Sequence, residues 1–292
     1  MTLGADPSHT RDPHLLALFP TTSDPAAPMS VRGRYLDPES GVLQEAADSA
    51  PERPLIYANF VTSLDGRIAL GDTEEGSHVP RALTTRADWR LFQELQAHAD
   101  CFITHGAYLR ALAAGRLSDI LQVGLRQDSA DLLAWRHGRG LTRQPAVVIA
   151  SRSLDFVLPD SLGQHDQSVV VVTSSDAPEA RVRHLREESG VNVMVADTPG
   201  PVGASLLVEA VRALGCSRAY LEAGPTVLGA MLRERYLGRL YLTLGHRLLG
   251  GDAFHTLVNG APLQGCGELS LEQLYLLTGE NGQFFARFRP RP

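Results

Sequence analysis

Short apolar runs alternate with amphipathic stretches along most of the chain. The runs are rich in valine, isoleucine and aromatic residues, which is typical of strands, and the stretches repeat apolar residues at helical spacing. Predicted strands cover 55–61, 100–104, 145–150, 168–173, 192–195, 216–221, 239–244, 269–277 and 283–289. Predicted helices begin at Thr84 or Thr85 and after His105, and cover 178–188, 204–214 and 225–232. This order predicts an α/β domain with a mixed, mostly parallel sheet, helices on both faces and antiparallel C-terminal edge strands.

Three regions depart from this alternation. Residues 1–53 are rich in proline, aspartate and serine, and they predict an extended or partly disordered arm before a folded domain of 54–292. Within the arm, 15–19 is expected to form one helical turn that docks on the domain. Residues 72–81 predict a polar loop. Residues 113–144 predict a surface insertion with helices around 119–123 and 128–135.

Composition limits the functional classes. The chain has 292 residues, of which 43% are hydrophobic and 21% are charged, as in soluble globular proteins. A net charge of −6 argues against nucleic acid or an anionic membrane as the main partner. No apolar run is long enough to span a membrane, and the N-terminus lacks signal-peptide features, so we expect a cytoplasmic protein. Cys101, Cys216 and Cys266 are scattered, which favours reduced thiols over disulfides or a metal site.

Residues 220–232 form the most informative stretch, with a strand, a turn at Gly224 and an amphipathic helix that begins at Pro225. Proline suits a first helical position, and glycine allows a tight turn and close approach of a ligand. A free helix N-terminus attracts anions through its N–H groups and its dipole. The stretch is therefore either a cradle for a cofactor phosphate or an ordinary strand-to-helix turn.

Four segments together resemble one known family. Segments 59–69, 147–153, 222–227 and 240–251 resemble, in order and spacing, the RibD C-terminal (pyrimidine reductase) domain of the dihydrofolate reductase-like superfamily. The resemblance covers about 54–289. It implies a dihydrofolate reductase-like three-layer α/β/α fold, NADPH as cofactor and a homodimer. The implied reaction reduces the ribosyl group of 5-amino-6-(5-phosphoribosylamino)uracil to ribityl.

The resemblance also assigns cofactor-binding residues. Val61 and Thr62 match positions that line the nicotinamide. Ser151 and Arg152 follow a strand, where a hydroxyl and a guanidinium would hold the adenosine 2′-phosphate and select NADPH over NADH. The alternative for this pair is a solvated loop. The pyrophosphate cradle consists of Gly224, Pro225, Thr226, Val227, Leu228 and Gly229.

The remaining assignments concern the substrate. Asn59 and Ser63 match substrate-binding positions. Glu222 matches a carboxylate that faces the substrate, and its alternative role is to close the turn. Asp65 either orients the substrate or braces its own turn. Glu222 and Asp65 are the candidates for orientation or proton transfer beside the hydride acceptor.

Several positions depart from the family pattern. Gln96 replaces an arginine, Tyr108 a small threonine, Leu112 an aspartate and Ala223 a glycine. Gly238-Arg239 replaces Asp-Glu, and His246 replaces a proline. His105 and Arg110 are the candidates for replacement positive charge.

These departures leave three hypotheses open. The chain is a riboflavin-pathway reductase, or an NADPH reductase of the same fold with another substrate, or a non-catalytic homologue that binds a nucleotide or a partner. Tyr108 and Ala223 favour the third if they occupy the cofactor groove. Gln96, Tyr108 and Leu112 favour the second. No zinc-deaminase motif precedes residue 54, so we expect any deamination to occur in another protein.

Overall fold

A ten-stranded sheet forms the centre of the molecule. The structure is a computed structural model that describes residues 14–20, 28–36, 50–71, 79–279 and 282–291. The strand order is β1-β11-β12-β9-β2-β8-β4-β5-β6-β7, and a separate pair, β3 and β10, forms a small antiparallel sheet. Strands β9 to β7 of this order run parallel, whereas β12, β11 and β1 are antiparallel.

The strands are β1 (Leu15–Phe19), β2 (Leu55–Thr62), β3 (Ala69–Leu70), β4 (Cys101–His105), β5 (Ala146–Ala150), β6 (Val169–Thr173), β7 (Asn192–Val195), β8 (Arg218–Leu221), β9 (Leu237–Gly245), β10 (Phe254–His255), β11 (Leu269–Leu277) and β12 (Gln283–Pro290). The helices are α1 (Arg86–His98), α2 (Gly106–Ala113), α3 (Ala130–Gly138), α4 (Asp160–Gln164), α5 (Glu179–Glu187), α6 (Ala204–Ala213) and α7 (Pro225–Arg233). Short 3₁₀ turns cover Gln127–Ser129 and Gln264–Gly267.

Helices bury both faces of the sheet, as the continuous apolar runs of β5 and β6 predict. Helices α1 to α5 contribute to one core together with the aromatic residues Tyr57, Phe102 and Tyr220. Helices α6 and α7 form the other core through Leu207, Met231 and their neighbours. The mixed α/β/α fold class is confirmed, including the antiparallel edge.

The order of the strands reverses within the parallel part of the sheet. Strands β4 to β7 proceed outward in sequence order, after which β8 returns and inserts between β2 and β4. The carboxyl ends of β2, β8 and β4 therefore lie side by side. In open α/β sheets, ligands bind in the crevice outside the carboxyl ends of the strands, at the point where the strand order reverses.

Two sequence predictions are wrong. Leu15–Phe19 is strand β1, not a helical turn. It pairs with β11, whose backbone groups would otherwise be exposed at the edge of the sheet. Residues 119–123 are not helical, since the backbone of Val123 bonds the side chain of Gln144 in both directions. Leu121 and Val123 are almost fully buried, so this part of the expected surface insertion belongs to the core.

Other predictions hold or remain open. The helix expected near 128–135 is α3, and Thr85 caps α1 by accepting a hydrogen bond from the Asp88 amide. The predicted arm is described only at 14–20, 28–36 and 50–53, and 72–78 of the predicted loop lie outside the described residues. Within the described ranges, no helix has the length and apolar character that a membrane span requires.

Candidate active site

Glu222 lies directly after β8, at the carboxyl edge of the sheet. Its backbone amide donates to Ile103 O of β4 at 2.9 Å. The Gln96 side chain of α1 donates from Nε2 both to Glu222 Oε1 and, at 2.8 Å, to Ile120 O. Glu222 Oε2 is buried and has no hydrogen-bond partner among the described residues. One carboxyl oxygen is thus held by the protein, and the other is buried without a partner among the described residues.

The surroundings of the Glu222 carboxyl favour its protonated form. Burial raises the pKa of Glu222 from 4.5 to about 8, because the protein interior disfavours the charged form. The hydrogen bond from Gln96 lowers the pKa, and the negative charge of Asp119 raises it. A carboxyl with a pKa near the working pH inside a crevice is suited to donate a proton.

Asn59 is the strand neighbour of Glu222. The register of β2 and β8 pairs Ala58 with Leu221. Asn59 and Glu222 are the next residues of the two segments, so they lie side by side on the same face of the sheet. Burial raises the pKa of Tyr220, and the side chain of Asn59 opposes that rise through a hydrogen bond. The predicted substrate residue Asn59 and the predicted acid therefore lie together.

Ser63 and Asp65 form a braced turn after β2. The Ser63 hydroxyl donates to Asp65 and accepts from the Arg67 amide at 2.9 Å. Asp65 also pairs with the Arg67 guanidinium, and Asp65 Oδ2 accepts from the amides of Leu249 at 3.2 Å and Gly250 at 2.9 Å. The hydrogen bonds from Ser63 and Gly250 hold the pKa of Asp65 well below its usual range. These contacts favour the bracing role over proton transfer.

Asp65→Asn is expected to loosen the loop after β9. The amide side chain loses the charge and one acceptor oxygen that hold Leu249 and Gly250, so hydrogen exchange at these two amides should rise roughly tenfold. Asp155→Asn, which breaks only an exposed pair with Arg181, is the control. A variant that binds no substrate yet exchanges at the parental rate would contradict the bracing role.

The Gly224 turn opens toward the same edge. Gly224 caps α7 with φ −75° and ψ −176°, an extended conformation open to any residue, so the tight-turn reason for this glycine is wrong. A side chain at Gly224 would meet no protein atom within 4 Å. Ala223 buries its methyl group in the core beneath α7. The open surroundings of this Cβ position are compatible with a phosphate cradle at the α7 N-terminus.

Ser151 and Arg152 stand at the end of β5. The Ser151 hydroxyl is buried and accepts from the Leu154 amide at 3.1 Å, so it shapes the turn. Arg152 is exposed, and its Nε lies 3.7 Å from Oδ2 of Asp176, which follows β6. This arginine can reach an anion at the carboxyl edge. Its partner within the chain is the carboxylate of Asp176, which the sequence analysis did not identify.

Tyr108 faces the core and not the carboxyl edge of the sheet. Its ring is buried in the core, and its hydroxyl donates to Ser118 O at 3.1 Å and accepts from the Ile120 amide at 3.0 Å. His105 caps α2 through Nδ1, and burial, together with Arg110, lowers its pKa to about 4. The lowered pKa argues against His105 as a source of positive charge.

The family assignment follows from sequence and structure together. Residues 54–282 match the RibD C-terminal domain. The chain belongs to this family. No curated protein sequence matches it.

Solved structures show the same fold. A pyrimidine reductase-like protein from Corynebacterium diphtheriae has a TM-score of 0.62 and 21% identity, over 83% of this chain and 94% of that chain. RibD from Acinetobacter baumannii gives a TM-score of 0.55 at 20% identity and covers 82% of this chain and 58% of that longer one. The riboflavin biosynthesis reductase of Saccharomyces cerevisiae gives 0.51 at 17%, over 82% and 90%. These likenesses show that the chain shares the fold of these three proteins.

Proposed function

We propose that this chain is an NADPH-dependent reductase of the riboflavin type, which reduces 5-amino-6-(5-phosphoribosylamino)uracil to its ribitylamino form. The observation that carries this proposal is the juxtaposition of a neutral buried carboxyl, Glu222, with an open helix N-terminus at Gly224, two residues further along the chain. A reductase needs both a site for the dinucleotide and a proton source beside the acceptor carbon. Family membership supports the same reaction class.

The residues of the carboxyl edge fit the cofactor. The N–H groups at the start of α7 would hold the pyrophosphate, and Gly224 leaves the space that a phosphate would fill. Val61 and Thr62 end β2 at this edge, where they would line the nicotinamide. Bound NADPH would supply the hydride. Arg152 would contact the 2′-phosphate.

Arg152→Ala is expected to lower NADPH affinity about tenfold and to leave NADH affinity unchanged. The guanidinium is exposed, so its contact with a phosphate is worth roughly 1.4 kcal/mol. Arg183→Ala, which removes an exposed arginine on α5, is the matched control. Equal losses for both cofactors would show that Arg152 does not recognise the 2′-phosphate.

Asn59 and Glu222 would act on the substrate. Asn59 offers an amide donor and acceptor at the end of β2, suited to orient a polar ring. Glu222 would donate the proton that accompanies reduction, because its carboxyl is protonated at neutral pH. Ser63 and Asp65 would keep the β2 turn and the loop after β9 in position around the substrate.

A second candidate is a reductase of the same fold with a different substrate. The observation that favours it is the Gln96 bond to Glu222, which leaves the acid without a cationic partner. An amide cannot replace the charge of the family's arginine at a substrate phosphate. Tyr108 and Ala223 both face the core, so neither supports a closed groove.

The deciding experiment mixes purified protein, NADPH and the phosphoribosylaminouracil and follows the loss of reduced-nicotinamide absorbance. The proposal expects turnover and rescue of a riboflavin auxotroph that lacks this reductase. Cofactor binding without turnover, and no rescue, would favour the second candidate. We also expect a cytoplasmic protein that forms a homodimer. Light scattering of the purified chain would check the dimer.

A further inference from the structure

Gln96 and Tyr108 hold one short segment from two different helices. Gln96 of α1 donates to Ile120 O at 2.8 Å. The Tyr108 hydroxyl of α2 donates to Ser118 O and accepts from the Ile120 amide. The backbone of residues 118–120 is thus fixed by three side-chain hydrogen bonds, although these residues belong to no helix or strand.

The same segment faces Glu222. Asp119, the middle residue of the segment, interacts electrostatically with the Glu222 carboxyl. Asp119 is fixed in turn, since its oxygens accept from the Leu121 amide at 3.0 Å and from the Ser161 hydroxyl at 2.6 Å. Gln96 reaches across this arrangement, because one amide nitrogen bonds both Ile120 O and Glu222 Oε1.

The groups around Glu222 carry no positive charge among the described residues. Gln96 approaches from α1, Tyr108 from α2, Asp119 from the 118–120 segment and Tyr220 from β8. Gln96 is neutral, Asp119 is an acid, and burial raises the pKa of both tyrosines above the usual range. A buried carboxyl in such surroundings favours its uncharged form. Its free Oε2 then becomes a donor, because a protonated carboxyl carries one O–H.

We propose that Gln96 and Tyr108 are positioning residues that hold the 118–120 segment against Glu222, so that Glu222 Oε2 donates a hydrogen bond to an uncharged acceptor of the ligand. A ring carbonyl or ring nitrogen is such an acceptor. A phosphate at this point would face Asp119 and lack a cation, so the proposal places any substrate phosphate elsewhere. The ligand part of this inference rests on the proposed function, whereas the positioning part does not.

The first test is a ¹³C NMR titration of the ligand-free protein labelled at the glutamate side-chain carboxyls, with Glu222→Gln used for assignment. The Glu222 signal is expected to titrate with a midpoint near pH 8. Gln96→Arg places a cation beside the carboxyl and should lower the midpoint by about two units. Gln96→Met, similar in size and neutral, should keep the midpoint above pH 7. A parental midpoint below pH 6, or no response to the arginine, would overturn the proposal.

A second measurement separates positioning from simple packing. Tyr108→Phe keeps the buried ring and removes the hydroxyl, so hydrogen exchange at the Ile120 amide should accelerate about tenfold. As the segment loosens and water reaches the carboxyl, the Glu222 midpoint should fall. Tyr57→Phe removes a buried hydroxyl that bonds Leu95 O and should change neither signal. If both substitutions changed the Ile120 exchange rate and the Glu222 midpoint equally, Tyr108 would contribute only packing and the positioning role would be refuted.

The ligand part is tested with 5-amino-6-ribitylaminouracil, which carries no phosphate. Its affinity should fall roughly tenfold per pH unit above the Glu222 midpoint, because ionisation removes the donor. Glu222→Gln, whose amide remains a donor, should bind the probe with little pH dependence. Equal pH dependence in parent and variant would refute donation by Glu222. A normal Glu222 titration near pH 8 in a protein that binds no nicotinamide would instead refute only the proposed reductase function.

Discussion

Gly224→Val is expected to weaken NADPH binding at least a hundredfold while the protein stays folded. A Cβ at this position would meet no protein atom within 4 Å, and the backbone is in an ordinary extended conformation. The fold therefore tolerates the branch. The added atoms would occupy the space in front of the α7 N-terminus, where the pyrophosphate is proposed to bind. Losing that contact corresponds to about 3 kcal/mol or more of binding free energy.

Gly163→Val is the matched control for this substitution. Gly163 also has open space around its Cβ position and lies in α4. The control should bind NADPH as the parent does, and thermal unfolding should confirm that both variants are folded. If Gly224→Val binds NADPH with parental affinity, the cofactor does not use the α7 N-terminus.

Glu222→Gln is expected to make the protein more stable at alkaline pH. The folded-state pKa of about 8 lies above the ordinary value of 4.5, so the folded protein binds a proton that the unfolded chain releases between these values. In the parent, the contribution of Glu222 to the free energy of unfolding is fully present below pH 4.5 and declines as the pH rises to 8. The loss integrates to about 5 kcal/mol as an upper limit. Glutamine cannot ionise, so the variant does not lose this stabilisation as the pH rises.

The measurement is urea unfolding of parent and variant at pH 5.5, early in this decline, and at pH 9, beyond its end. The difference in unfolding free energy should grow by several kcal/mol toward pH 9. Burial also raises the pKa of Asp88, to about 6, but this group is present in both proteins and cancels in the difference. Glu187→Gln on the exposed face of α5 is the control. Parallel pH curves would contradict a protonated Glu222.

The sequence predicts the sheet well because its strands have distinct physical signatures. The β-branched run of β6 is buried on both faces, and no amphipathic helix has such a pattern. Leu15–Phe19 carries no comparable signal, since five apolar residues fit one helical turn or a short strand equally well. The pairing partner decides, and β11 lies more than 250 residues away in sequence.

The candidate site is only partly accessible to sequence reasoning. The turn at Ser63 and Asp65 and the proximity of Asn59 to Glu222 follow from strand ends, which local patterns locate. The bond between Gln96 and Glu222 joins residues 126 positions apart and depends on side-chain reach across α1 and β8. The orientation of Tyr108 is similarly hidden, because a tyrosine after a glycine turn suits a groove or a core. Only the packing of α2 shows that it faces the core.

The most direct measurement is a titration of the purified protein with NADPH and with NADH, read by reduced-nicotinamide fluorescence. The account predicts saturable binding of both cofactors, with NADPH preferred and that preference reduced by Arg152→Ala. Binding would establish the carboxyl edge as a dinucleotide site and justify the substrate assay. Absence of binding by either cofactor would contradict the central claim, because the carboxyl edge and the α7 N-terminus would then not form a dinucleotide site.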